Sequence, residues 1–458
     1  MKIINPPYEK IAGLLEKNKY KPDRAYRLSG QCVTLPVQDG VLLYHTLTSE
    51  LLLLDSEEAG LLDQLPGSVP DELRELAVKR VLVPVDTDEM IYCDQLRRVL
   101  ALAVPKEDAL TSYTILTTTD CNARCFYCYE KGRSRIPMSE KTAQDVGKYI
   151  TDHSKGKKVS LHWFGGEPLY NTPAIDTIIG VLNENGVDFS SSMISNGYLF
   201  DEELVEKAKT KWKLRRIQIT LDGTEEVYNR RKANIYREGS AYQLVLRNIG
   251  LLLEADIPVS IRLNVDMENQ RDLLALVDEL AERFAKYHGF SVYNHIIFEE
   301  PGEKRTPEQR RELYQASDAL TDHIYACGLQ KKNTVPRSFK TNRCMADNDS
   351  STTITPEGCL GKCEHYTEHD EMWGSLYSEE KDDAMLEDWK ERLVFPDCRS
   401  CFYYPLCVRL KKCPDIPEYC DPEYREQEKK RMQRQMLYSY EKWQDNSHSG
   451  EESGDIDC

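Results

Sequence analysis

Residues 112–132 read SYTILTTTDCNARCFYCYEKG, and residues 159–168 read VSLHWFGGEP. Each stretch opens as a β-type run and closes in a loop rich in chemistry. The first loop carries Cys121, Cys125 and Cys128; the second carries Gly165, Gly166 and Glu167. The rhythm continues downstream. "SSSMIS" runs into Ser195-Asn196-Gly197, "RRIQITL" into Asp222-Gly223, "VSIRLNV" contains Arg262 and Asn264, and "FSVYNHIIF" is a sixth run. Helical spacing fills the gaps, as in Leu273, Val277, Leu280 and Phe284. A further helix opens at Thr306-Pro307, with Gln309 in place for a capping box. Six βα units predict an α/β fold with a parallel sheet and helical crossovers, either an open sheet or a partial barrel. The chemistry-bearing residues fall at the carboxyl ends of the strands, where such folds build their sites.

The chain has 458 residues and a formal charge of −17. One compact core stops growing near ~250–300 residues, so at least two domains are expected. The acidic balance argues against a nucleic-acid or anionic-membrane partner, because phosphate binding runs on Lys and Arg. No apolar run approaches the ~20 residues that span a bilayer. The start, MKIINPPYEK, has no apolar signal core, so a cytoplasmic location is the expectation. Fifteen cysteines in a reducing compartment then point to metal or redox work and away from a disulfide framework.

Four segments are expected. Residues 1–104 hold short β-type runs, CVTLPV, GVLLYHT and ELLLL, with a tight turn at Gln38-Asp39-Gly40. Two short helices should follow near Ser56–Gln64 and Asp71–Arg80, a pattern that looks like a winged-helix-type module or a simple brace. Residues 105–335 hold the βα series. Residues 336–422 are rich in Cys, Pro and Asp with little periodicity, so bound metal is expected to supply much of their fold. Residues 423–458 read as a charged, largely solvated helix and a polar tail.

Cys121-x3-Cys125-x2-Cys128 offers three thiolates at a loop. Structural zinc takes four ligands, and a fourth is missing nearby. A [4Fe–4S] cluster held by three thiolates keeps one iron open for another ligand. The spacing, with Tyr127 directly before the third cysteine, resembles the radical S-adenosylmethionine (SAM) superfamily. That resemblance implies a partial (β/α)6 barrel in which SAM chelates the open iron and is cleaved reductively to a 5′-deoxyadenosyl radical. It places Gly165, Gly166 and Glu167 at the methionyl amine. Ser195 and Asn196, with Asp222 and Arg262, would surround the ribose and carboxylate.

Eight more cysteines lie between 344 and 420. They suffice for two four-iron clusters or for two zinc ions. Their spacing, with GKCEHY at 361–366 and YPLC at 404–407, resembles the SPASM domain that follows the barrel in many radical SAM enzymes. The resemblance implies a first auxiliary cluster on Cys344, Cys363 and Cys413 and a second on Cys398, Cys401, Cys407 and Cys420. Cys359 would complete the first cluster or stand by; if it stands by, that cluster has an open iron for a substrate thiolate. The implied cofactors are thus three [4Fe–4S] clusters and SAM.

Radical SAM–SPASM chains preceded by a winged-helix-like RRE module resemble maturases of ribosomally made peptides, the sactipeptide and ranthipeptide thioether synthases among them. The implied partners are a precursor peptide with a leader, clamped by strand pairing, and a reductant such as flavodoxin or ferredoxin. Thioether formation is the expectation. Carbon–carbon or carbon–oxygen crosslinking, sulfatase-maturase-type oxidation, and a non-enzymatic zinc-stabilised scaffold are the alternatives.

Overall fold

In a computed structural model of the chain, described at residues 1–9, 11, 13, 20–103, 108–236, 239–299, 304–337, 344–366, 371–407, 409–413, 420 and 422–449, the six expected runs are strands. They are β7 (Ser112–Thr118), β8 (Val159–Gly165), β9 (Phe189–Ser195), β10 (Leu214–Leu221), β11 (Val259–Val265) and β12 (Phe290–Ile296). All pair in parallel and in chain order, which makes the six-stranded core of a partial barrel. The boundary expected at 104/105 and the tail beyond 449 lie outside the described residues.

Side-chain alternation explains the layering. On β8, Val159, Leu161 and Trp163 are fully buried against the helices, while His162 and Phe164 are half-buried on the opposite face. On β11, Val259, Ile261 and Leu263 are buried, and Ser260 and Arg262 take the other face. The outer face packs into one large core with the helices Thr172–Glu184, Ala241–Glu254 and Asp272–Phe284. The inner face is polar and half-open, as a binding lumen requires. The helix Pro307–Ala326 starts with the expected Thr306/Gln309 capping box.

The cysteine-rich region carries more regular structure than its sequence suggests. β13 (Ser351–Ile354) adds in parallel to β7, and β14 (Cys359–Gly361) and β15 (Gly374–Ser375) continue the sheet antiparallel. Thr355-Pro356-Glu357-Gly358 makes the β13–β14 turn, with Gly358 at φ +84°. The reason is positional: an unclosed barrel leaves the β7 edge unpaired, and a Thr-rich hairpin covers it.

The N-terminal part forms a separate antiparallel sheet from β1 (Lys2–Asn5), β3 (Cys32–Val37), β4 (Gly40–His45) and β5 (Glu50–Leu54), in the order β1-β5-β4-β3. β2 (Tyr26–Leu28) pairs with β6 (Leu82–Pro84), and short helices at Ser56–Leu61 and Arg74–Val78 back one face. Gly40 sits at φ +138°, where a Cβ would lie 2.0 Å from Leu54 O, so the turn at 38–40 needs glycine.

The C-terminal helix Pro422–Ser449 departs from the solvated reading. Met432, Met436 and Tyr440 bury one stripe of it against Val33, Leu42, Tyr44, Leu51 and Leu53 of the N-terminal sheet. Their spacing of four is a narrow helical stripe among many charges.

Candidate active site

The structure gathers thiols in three groups. Burial pushes the Cys121, Cys125 and Cys128 thiols above their ordinary value; Cys121 and Cys128 are raised further by neighbouring cysteines of the same group. Cys121 Sγ accepts from Ala123 N at 3.3 Å and faces Asn196 Nδ2 at 3.7 Å. The second group is Cys344, Cys363 and Cys413: burial raises the Cys363 thiol, and both it and the surface residue Cys344 feel Cys413. The third is Cys398, Cys401, Cys407 and Cys420, which line one cavity together with Phe395, Arg409 and Tyr424. Cys359 lies on β14, where burial raises its thiol, the Thr355 hydroxyl lowers it and Glu357 raises it. Two groups of three and one of four, all soft thiolates, fit iron–sulfur clusters by the chemistry of their donors.

The β8 end is locked to the first cysteine loop by backbone. Gly166 N donates to Thr118 O at 3.0 Å and Glu167 N to Asp120 O at 2.8 Å. A Cβ on Gly165, at φ +118°, would lie 2.1 Å from Thr118 O, and one on Gly166 would lie 2.3 Å from Asp120 O. The two glycines therefore permit close approach, and what approaches is the run-in to Cys121.

Glu167 is fully buried. Its Oε1 accepts from Leu169 N at 3.2 Å and Ser195 Oγ at 2.9 Å, and its Oε2 from Asn196 N at 2.8 Å. Burial pushes its carboxyl up to about 7, against the pull of these donors. Asn196 Nδ2 also donates to Asn122 Oδ1 at 2.6 Å. The ends of β8 and β9 thus meet beside Cys121.

Asp222, at the end of β10, is fully buried; its Oδ2 accepts from the Tyr127 hydroxyl and lies 3.1 Å from Lys232 Nζ. Lys232 also donates to the Tyr127 hydroxyl at 2.9 Å, and its backbone carbonyl accepts from Arg124 N. Asp222 and the neighbouring thiolate and phenol charges hold this buried lysine above its ordinary value, against burial. Arg262 takes a different place: its Nε donates to Asn264 Oδ1 at 3.0 Å and its guanidinium lies 5.9 Å from the Phe298 ring, on the lumen face of β11. Tyr129, next to Cys128, stacks on His365, two residues after Cys363, with ring centres 4.5 Å apart. Arg133 donates to His365 O at 2.9 Å. The first and second thiol groups therefore sit on loops in direct contact.

Lys232, Asn122 and the Tyr129–His365 stack are the site residues that sequence reading missed. Tyr129 and His365 had a signal, since each flanks a motif cysteine.

Residues 115–280 match the family model described as the Radical SAM superfamily. The barrel is a radical SAM domain. That family implies a [4Fe–4S] cluster and SAM, which the three thiols at 121–128 suit. The chain is similar to an Fe-coproporphyrin III synthase of Methanosarcina barkeri, 27% identical over 45% of this chain and 49% of that protein. It is also similar to a probable GTP 3′,8-cyclase of Methanococcus maripaludis, 30% identical over 26% of this chain and 38% of that protein. The chain thus spans less than half the length of these relatives. Among solved structures, anSMEcpe with bound AdoMet and Cp18Cys peptide superposes with a TM-score of 0.55 at 15% identity, covering 73% of this chain and 99% of that one. Streptococcus suis SuiB bound to precursor peptide SuiA superposes with a TM-score of 0.50 at 14% identity, covering 87% and 99%. At these identities the likeness is one of fold. No helix among the described residues is long and apolar enough to cross a membrane.

Proposed function

We propose that this radical SAM chain is a peptide maturase that joins a cysteine sulfur to carbon in a ribosomally made precursor. The observation that carries the reading is the second thiol group. Cys344 and Cys363 each feel Cys413, and we read these three as its ligands, with Cys359 on the strand β14 beside them. Three ligands leave a place for a thiolate from a cysteine-bearing substrate. The peptides bound by anSMEcpe and SuiB are in keeping with a peptide substrate.

Cys121, Cys125 and Cys128 would hold the cluster whose open iron binds SAM; when bound, that pair supplies reductive cleavage of SAM and hydrogen abstraction from substrate. The protein's part is placement. Gly165–Glu167, Ser195 and Asn196 frame the space beside Cys121 and would take the methionyl end of SAM. Arg262 faces the lumen and would bind a carboxylate. Asp222 we assign to holding the Tyr127 loop through Lys232. Each crosslink removes two hydrogens from the peptide, one by abstraction and the thiol proton to solvent, and the electron released offsets the one spent on cleaving SAM.

The N-terminal sheet would receive the leader by strand pairing. Its β3 edge is poorly suited, because Pro36 has no N–H and Thr34 O already accepts from Gln433 Nε2 at 3.0 Å. The opposite side, where the short β1 covers the β5 edge, is the better one.

The test is high-resolution mass spectrometry of a cysteine-rich precursor encoded beside this gene and co-expressed with the enzyme. A loss of two hydrogens per modification, with the thiols blocked to alkylation, supports the thioether. Unmodified, freely alkylated thiols reject it.

A further inference from the structure

Cys327 stands alone in the sequence, and the peptide-modifying reading gives it no work. In the fold it is not alone. It caps the helix Pro307–Ala326, one turn after His323, and Asp278 reaches the same spot from the helix Asp272–Phe284. His323 Nε2 lies 2.7 Å from Asp278 Oδ1, and Cys327 Sγ lies 3.9 Å from each of them. The three donor atoms all fall within 4.8 Å of one another.

An Asp278–His323 ion pair alone would account for two of these residues. The third donor, and its kind, goes beyond that. A thiol, an imidazole nitrogen and a carboxylate oxygen are the three ligand types zinc takes, and its bond lengths set ligand separations of roughly 3.3–3.6 Å in a tetrahedral site. Small rotations, chiefly of the exposed Asp278 side chain, bring the observed spacings to those values. Two of the donors also sit at a helix carboxyl end, where the aligned peptide dipoles favour a cation. Mixed nitrogen, oxygen and sulfur donors suit zinc better than an iron–sulfur cluster.

We infer that Asp278, His323 and Cys327 form a zinc-type divalent-cation site on the outer face of the barrel, separate from the three thiol groups. The ion staples the last barrel helix to its neighbour, just before the chain leaves for the cysteine-rich region. Water completes its coordination.

The test uses the full chain with its iron–sulfur groups already reconstituted, so that the other thiols are occupied, and zinc chloride as the probe. Bound zinc is measured by elemental analysis, and Cys327 accessibility by alkylation followed by peptide mass mapping. The site predicts one zinc per chain and protection of Cys327 by ~10-fold or more. Cys327→Ser and His323→Ala should each weaken zinc retention by ~10-fold or more with iron content unchanged. Equal alkylation of Cys327 with and without zinc overturns the site, and so does zinc retention unaffected by both substitutions. If a variant fails to fold, the protection measurement on the unaltered chain decides the question by itself.

Discussion

Lys232 Nζ lies 3.1 Å from Asp222 Oδ2, with both side chains almost fully shielded from solvent and Cys125 close enough for the lysine to lower its thiol. Taking two charges out of water is costly, and the cost is offset only while both partners are present. Lys232→Met should therefore destabilise the barrel by about 3–5 kcal/mol, by stranding a buried carboxylate. Adding Asp222→Asn to that variant should recover a large part of the loss. A double-mutant cycle by chemical denaturation checks this. Additive losses would mean that the two residues are not coupled.

The Gly166 contact makes a sharper prediction about the site alone. Gly166→Ala puts a Cβ against the Asp120 backbone, 2.3 Å from its oxygen, with no flexible side chain there to give way. The cysteine loop must move. Anaerobic reconstitution should then lose about four of about twelve irons per chain, while the auxiliary groups keep theirs. Full iron content in this variant would show that the loop tolerates the shift.

Iron content also separates the roles of the C-terminal cysteines. Cys344→Ala should remove about four irons, whereas Cys359→Ala should leave the total unchanged. Equal loss from both would place Cys359 in the cluster. Stoichiometric zinc in place of iron would reject auxiliary clusters altogether.

The β strands and the thiol groupings were legible because local spacing carries them: apolar alternation for the strands, and cysteine intervals for the loops. Lys232 was not. It lies 105 residues after its partner Tyr127, at the end of a helix whose other charges look ordinary, and only the fold brings it under the cysteine loop. The β13–β14 hairpin was hidden for a similar reason, since Ser-Thr-Thr-Ile becomes a strand when an open β7 edge is offered to it. Met432, Met436 and Tyr440 were masked by the charges between them. The glycines of GGEP pointed to the methionyl amine of SAM in the sequence; that the backbone of Thr118 and Asp120 presses on them could be read only in three dimensions.

His45, which is not a member of the three thiol groups, offers a pH test. It is buried at the end of β4 beside Thr48, and burial pushes its imidazole down to about 3. The folded value lies below the unfolded one, so the unfolded chain takes up the proton first. The stability from neutral His45 is fully present above the ordinary value of 6.5 and is lost as pH falls from there toward 3. At pH 5.5 the loss should be about 1.4 kcal/mol. His45→Gln should flatten that part of the curve, as read by amide exchange at β4 and β5. An unchanged slope would assign the acid sensitivity to other groups.

The N-terminal strand yields the last prediction. β1 is four residues long, pairs with β5 through a register irregularity between Ile3 and Asn5, and leaves Ile3 48% exposed. Behind it, β5 is buried at every position and continues the sheet in good register with β4. A short strand with irregular pairing and exposed positions is among the less costly elements to open. A leader peptide that pairs with this sheet should therefore compete with residues 2–5 for the β5 edge. Removing Lys2–Asn5 should tighten leader binding several-fold, by sparing the cost of displacing β1, while SAM cleavage without peptide stays unchanged. Titration of a labelled leader against both chains, by fluorescence anisotropy, distinguishes the cases. Weaker binding to the shortened chain would mean that β1 is itself the surface the peptide uses.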